Sequence, residues 1–317
     1  MRTVATAMLS IGLLVSLSLS FAAADDPPGL LHSTLLNGVN MHHETGELSL
    51  RDMQALALPK VESDQSIYGY NPDSGGKLWA ILTDRDDGTE LARYDFYANP
   101  RGELLWHLNS YRLTDLRTNE QSSMGRVKLG PGEYVLDFHL QSGRFYTYPF
   151  TVSTVGDNGF SFLDGDWNDW GYLYYADADP ANSIQWKIWL RHKGTEASKN
   201  VKIRIGVMRE SENNKLVATN RPNMSFDLRP EWNRFEFDLI EPMQGTAGGR
   251  QLSAQDIVGV DGTYVLKMVV DEQDYGIWRF EVKDGKPQPA GRTVRGEADP
   301  LTFVEGGADA FWYGRAE

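Results

Sequence analysis

The chain has 317 residues, of which 31 are Lys or Arg and 44 are Asp or Glu, for a net charge of −13 at neutral pH. So acidic a surface repels nucleic acid and anionic lipid. The absence of cysteine excludes disulfides, thiolate metal sites, a cysteine nucleophile and lipid attachment through cysteine.

In chain order, Arg2, an apolar run from Val4 to Leu19, and Ala22, Ala23 and Ala24 ahead of Asp25 make residues 1–24 a secretory leader with an A-x-A cleavage site. A membrane anchor needs about 20 apolar residues in a row, and Ser16, Ser18 and Ser20 interrupt this run. Cleavage removes Arg2 and moves the net charge from −13 to −14. No later segment approaches spanning length, so the mature chain is expected to be exported and soluble, in the periplasm or outside the cell. Without disulfides it is held by packing alone. It is also longer than one core usually serves, which points to two domains.

Residues 25–61 are read as an N-terminal arm, with a short helix around Leu50 to Leu56 that Pro59 would end. The span 62–155 is read as a first all-β domain. There Lys77 to Thr83 and Glu103 to Ser110 alternate, with Leu104, Trp106 and Leu108 on one face. A second β domain is placed at 160–286, where Val201, Ile203, Ile205 and Val207 alternate with Lys202 and Arg204, and Phe235, Phe237 and Leu239 with Arg234, Glu236 and Asp238. The acidic runs Asp84 to Asp87 and Asp271 to Asp274 read as turns. From 287 to 317 Pro, Gly and charge dominate until Phe311, Trp312 and Tyr313, whose cost of exposure favours docking of the tail.

One internal repeat organises the rest. Gly132, Tyr134, Leu136, Phe138, Leu140, Tyr148, Phe150 and Val152 recur, 130 residues later and without a gap, as Gly262, Tyr264, Leu266, Met268, Val270, Trp278, Phe280 and Val282. Polar residues fill most alternate positions, so each copy is a half-buried hairpin. Gly-x-Tyr opening a strand after a turn resembles the tyrosine corner of immunoglobulin-like and fibronectin type III β-sandwiches, with Tyr134 and Tyr264 as the corner residues. The resemblance spans some twenty residues per copy and lacks the paired cysteines of antibody domains. It implies an all-β fold of two tandem immunoglobulin-like antiparallel sandwiches, each corner hydroxyl bonded to backbone a few residues upstream, and no function.

No catalytic, phosphate-binding or dinucleotide motif is present, so no catalytic residue is proposed. His42, His43 and Glu44 begin like a metal cluster, but neighbours on an extended chain point apart. His107, His139 and His192 read as surface histidines. Asp164, Asp166, Asn168 and Asp169 have the D-x-D-x-N opening of a calcium loop. Asp169 stands where the sharp-turn Gly belongs, however, and Tyr175 where the bidentate Glu belongs. Position between the two domains, as in cadherins, keeps calcium as a candidate cofactor beside a plain solvated linker.

The densest aromatic stretch runs from Trp167 to Trp189. Pairing Ala176 with Ile184 in a hairpin sets Trp170, Tyr172 and Tyr174 on a core face with Trp186, Ile188 and Leu190. Gly171, Leu173, Tyr175, Gln185, Lys187 and Trp189 then take the outer face. Trp189, Tyr175, Gln185 and Lys187 thereby become candidate ligand residues, a flat Trp beside polar groups being a platform for a glycan ring. Alternatively Trp189 covers Gly171.

The expected function is that of a non-catalytic exported binding or envelope-interaction protein, with a glycan or an envelope protein as candidate partner and no nucleic acid. The alternatives are a carbohydrate-active hydrolase using an Asp/Glu pair and an accessory subunit of an envelope assembly.

Overall fold

The computed structural model describes residues 29–30, 38–56, 78–100, 105–123, 125–140, 142–156, 159–165, 170–175, 183–222, 224–242, 249–288 and 309–316. The expected leader lies outside them. Most of the described chain is strand, every pairing is antiparallel, and no described helix is long and apolar enough to cross a membrane.

Four sheets account for the strands of the described residues. The large sheet has nine strands, in the order Gly29–Leu30, Met53–Leu56, Leu105–Asp115, Glu90–Pro100, Leu78–Asp84, Gly132–Leu140, Gly143–Val155 and Phe160–Gly165, with Glu120–Ser122 beside Leu105–Asp115. A small sheet joins Val39–His42, Glu47–Leu50 and Arg126–Lys128. The middle sheet runs Asn233–Asp238, Gln185–Leu190, Gly171–Tyr175, Asp309–Tyr313. The far sheet runs Lys215–Thr219, Lys199–Arg209, Gly262–Val270, Gln273–Lys283, Lys286–Pro287, with Ser225–Leu228 and Arg315–Ala316 at its sides.

These sheets enclose two apolar cores. Alternation along the large sheet sends Leu78, Ala80, Leu82, Phe96, Leu136 and Phe138 inward to meet Val39, Met41, Leu48 and Leu50 of the small sheet. Ile203, Ile205, Val207, Leu266 and Trp278 of the far sheet meet Leu173, Trp186, Ile188 and Phe237 of the middle sheet. The middle sheet also contributes Tyr172 and Trp189 to the first core. Its two inner strands are therefore buried on both faces along Tyr172–Leu173 and Trp186–Leu190, and are shared between the two cores.

Three expectations are corrected. Residues 38–56 are not an arm but two strands of the small sheet and one of the large sheet. The helix expected around Leu50 to Leu56 is the strand Met53–Leu56. Leu50 and Met53 mimic a helical turn in spacing, but they reach one core from different strands across a turn at Asp52, whose φ is 49°. Asp164, expected in a solvated acidic junction between two domains, lies instead in a strand of the large sheet, Phe160–Gly165, paired with Phe150–Val155.

The repeat holds to the level of register. Tyr134 pairs with Phe150 and Tyr264 with Phe280, and a β-bulge falls between Phe138 and His139 in one hairpin and between Met268 and Val269 in the other, again 130 residues apart. The hairpins lie in different sheets. The Tyr134 hydroxyl donates to the Gly130 carbonyl at 3.0 Å. The Tyr264 hydroxyl lies 2.7 Å from the Val260 carbonyl oxygen and 2.8 Å from that of Ile257, and accepts from Arg209 Nε at 3.0 Å. The tail docks as the strand Asp309–Tyr313. Tyr313 is buried against Phe280, with ring centres 5.4 Å apart.

Candidate functional site

The hairpin expected to carry the ligand platform is present, one residue out of register. Gly171 pairs with Ile188 and Tyr174 with Gln185, where Gly171 was expected opposite Trp189. The slip exchanges the aromatic partners. Tyr172 and Tyr174 share a face with Gln185, Lys187 and Trp189, while Gly171 and Leu173 share the other with Trp186, Ile188 and Leu190. Trp189 is 1% exposed, its ring 6.0 Å from that of Tyr172, so it is a core residue and not an outward platform. Gly171 is covered by Trp186, not Trp189, since a Cβ there would stand 2.2 Å from the Trp186 ring.

The Lys187 side chain is buried with its ammonium 3.6 Å from the centre of the Tyr174 ring and 3.5 Å from Glu236, a cation–π contact backed by a carboxylate. Gln185 donates to Asp238 at 2.8 Å. Tyr175 ends its strand opposite Asp309. The face thus unites Trp189, Lys187 and Gln185 with Tyr172 and Tyr174, neither of which was expected there.

Of the proposed calcium ligands, Asp164 lies in the last strand of the large sheet, and its oxygens are taken by Arg191 at 2.7 Å and Lys193 at 2.5 Å. Two cations on one carboxylate oppose a third. Asp166, Asn168 and Asp169 lie outside the described residues. Among the described residues no three His, Cys, Asp or Glu side chains are grouped to hold a metal ion.

Beside Asp164 the small, large and middle sheets meet around a cleft of about 20 Å³. Arg191 lines it with its side chain 5% exposed, its guanidinium 4.5 Å from the Trp232 ring centre and 5.2 Å from that of Phe162. Burial pulls its pKa down while Asp164 acts the other way. Its Nε is buried and has no hydrogen-bond partner among the described residues. His43 Nδ1 stands 3.4 Å from Glu231. The His42 and His43 rings do not point apart but stack at 5.8 Å, because they enter the turn between two strands. His192 is buried, not on the surface, and burial lowers its pKa.

The outer face of the large sheet carries a constellation that no motif announced. Register sets Arg112, Asp95, Trp79, His139 and Arg144 in one row across five strands, roughly 19 Å at a strand spacing of about 4.8 Å. Asp95, 1% exposed, receives Arg93 at 2.7 Å and Arg112 at 2.9 Å. The Trp79 ring is flanked from the two neighbouring strands by Arg93, 4.9 Å from its centre, and by His139, stacked at 5.5 Å. A bulge opposite the Asp95–Phe96 step leaves Tyr111 as the extra residue. Tyr111 consequently joins Arg112 on the outer face and stacks on Tyr97 at 6.1 Å. Period 2 marks these positions as outward, but their convergence depends on strand order, which the sequence does not display.

No family model, curated protein or solved structure matches the chain. What the described residues define is an all-β fold of four antiparallel sheets around two cores joined through one shared sheet.

Proposed function

We propose that this is an exported, soluble, non-catalytic binding protein that presents the outer face of its large sheet to a hydroxyl-rich ligand, a glycan or other envelope polymer. The observation that carries this is the unbroken side-chain row from Tyr97 and Tyr111 through Arg112, Asp95, Arg93 and Trp79 to His139. Burying a carboxylate between two guanidiniums on the wet side of a sheet contributes little net stability. A bulge that doubles the side chains on one face is a device found beside functional sites. Guanidinium, carboxylate, imidazole and phenol groups set side by side offer the paired donors and acceptors that sugar hydroxyls need. Two immunoglobulin-like sandwiches sharing a sheet are the architecture we infer, supported by the two corner tyrosines.

Affinity electrophoresis in gels containing a panel of polysaccharides tests this. At least one gel should retard the mature chain, and Trp79→Ala and Tyr97→Ala should migrate freely while melting like the wild type. Free migration of the wild type through every gel would sink the proposal. N-terminal sequencing of the exported chain should start at Asp25.

A further inference from the structure

The cleft where the small, large and middle sheets meet is chemically distinct from the outer face and independent of it. Its walls are Met41 and Leu163, the Trp232 ring and Asn40, and two charged groups, Arg191 and Glu231, both line it. Arg191 is a buried donor whose Nε–H finds no acceptor among the described residues, and leaving a buried donor unmet is unfavourable. The Trp232 indole N–H is already committed to the Leu163 carbonyl at 3.1 Å, which pins the wall in place. The Arg191 guanidinium is held between two rings and tethered to Asp164, so it cannot turn to find a partner elsewhere. Glu231 is 41% exposed and stands 3.4 Å from His43 Nδ1, leaving its carboxylate able to accept.

We propose that this cleft is a niche for a single hydroxyl group of a polyol or sugar. A cavity of about 20 Å³ admits one oxygen-sized group, as roughly 10–15 Å³ suffices for a water. A group seated between them would accept from Arg191 Nε–H and donate to the Glu231 carboxylate. A hydroxyl does both, a carboxylate cannot donate, and an ammonium cannot accept. The carbon that bears it meets Met41, Leu163 and the Trp232 ring.

Methyl β-glucopyranoside and glycerol serve as probes, with acetate as the anionic comparison. In titrations of the mature chain followed by NMR, the Trp232 indole N–H should shift and saturate with glycoside or glycerol and not with acetate. Glu231→Gln and Arg191→Lys should each weaken that response roughly tenfold, the worth of one hydrogen bond to a charged group. Trp79→Ala should leave it unchanged, which separates failure here from failure of the outer face. Crystals soaked in the same probes should place a hydroxyl oxygen between Arg191 Nε and Glu231, an arm that stands even where a variant fails to fold. An ordered water alone at that position, a response to acetate in place of the polyols, or full affinity in folded Glu231→Gln would overturn the proposal.

Discussion

Trp186 and Trp189 sit three positions apart on one strand, each sealed in a different core. Trp186→Ala and Trp189→Ala should therefore each cost about 3–5 kcal/mol in urea unfolding. A Trp189 variant as stable as the wild type would contradict its burial. Gly171→Ala should also destabilise, by about 1–3 kcal/mol, because its methyl group would meet the Trp186 ring. The two corner tyrosines should differ. Tyr134→Phe removes one hydrogen bond, whereas Tyr264→Phe leaves Arg209 and two carbonyls around an apolar edge, and should cost more by calorimetry. Acid sensitivity follows from His192, whose pKa burial depresses, with Glu196 and Glu231 acting upward and Lys199 and His43 downward. As pH falls below the ordinary value of about 6.5, the unfolded chain takes up the proton first. The contribution is whole above that value and is lost as pH falls through the depressed native pKa. Melting curves between pH 8 and pH 5 should show less of this loss in His192→Gln.

At the scale of elements, the strand Asp309–Tyr313 closes the edge of Gly171–Tyr175, whose Tyr172 and Leu173 are fully buried. Truncating the chain after Gln288 strips that edge and should yield a less stable protein prone to self-association, measured by light scattering and melting temperature. A synthetic peptide spanning 307–317 should restore part of the loss. The hairpins at 132–152 and 262–282 were legible because each strand has one wet face, so alternation, turn and corner tyrosine agree. The hairpin of Gly171–Tyr175 with Gln185–Leu190 was not, because both of its faces are buried. Where no side is wet, apolar pattern cannot choose between two registers one residue apart. The outer row was hidden for a different reason. Arg93, Arg112, Trp79 and His139 are unremarkable singly and meet only through long-range strand order.

For the whole molecule, a linker between tandem domains would allow two separate melts, whereas a shared sheet couples the two cores. Differential scanning calorimetry of the mature chain should show one transition, and a fragment ending at Gly165 should not fold alone, since Tyr172 and Trp189 complete its core. Two cores and an all-β class followed from length, turn spacing and the repeat. The fusion did not, because the contacts that make it lie in strands whose two faces both look internal.

The strand Gln185–Leu190 answers to both cores at once, and this should mark its tolerance of sequence change. In Gly132–Leu140 every second side chain is buried and its neighbours are not, so a library of all single substitutions should show acceptance rising and falling with period 2. Along Gln185–Leu190 five successive residues are buried. There the same library should show a flat floor from Trp186 to Leu190, with no permissive position between the two cores.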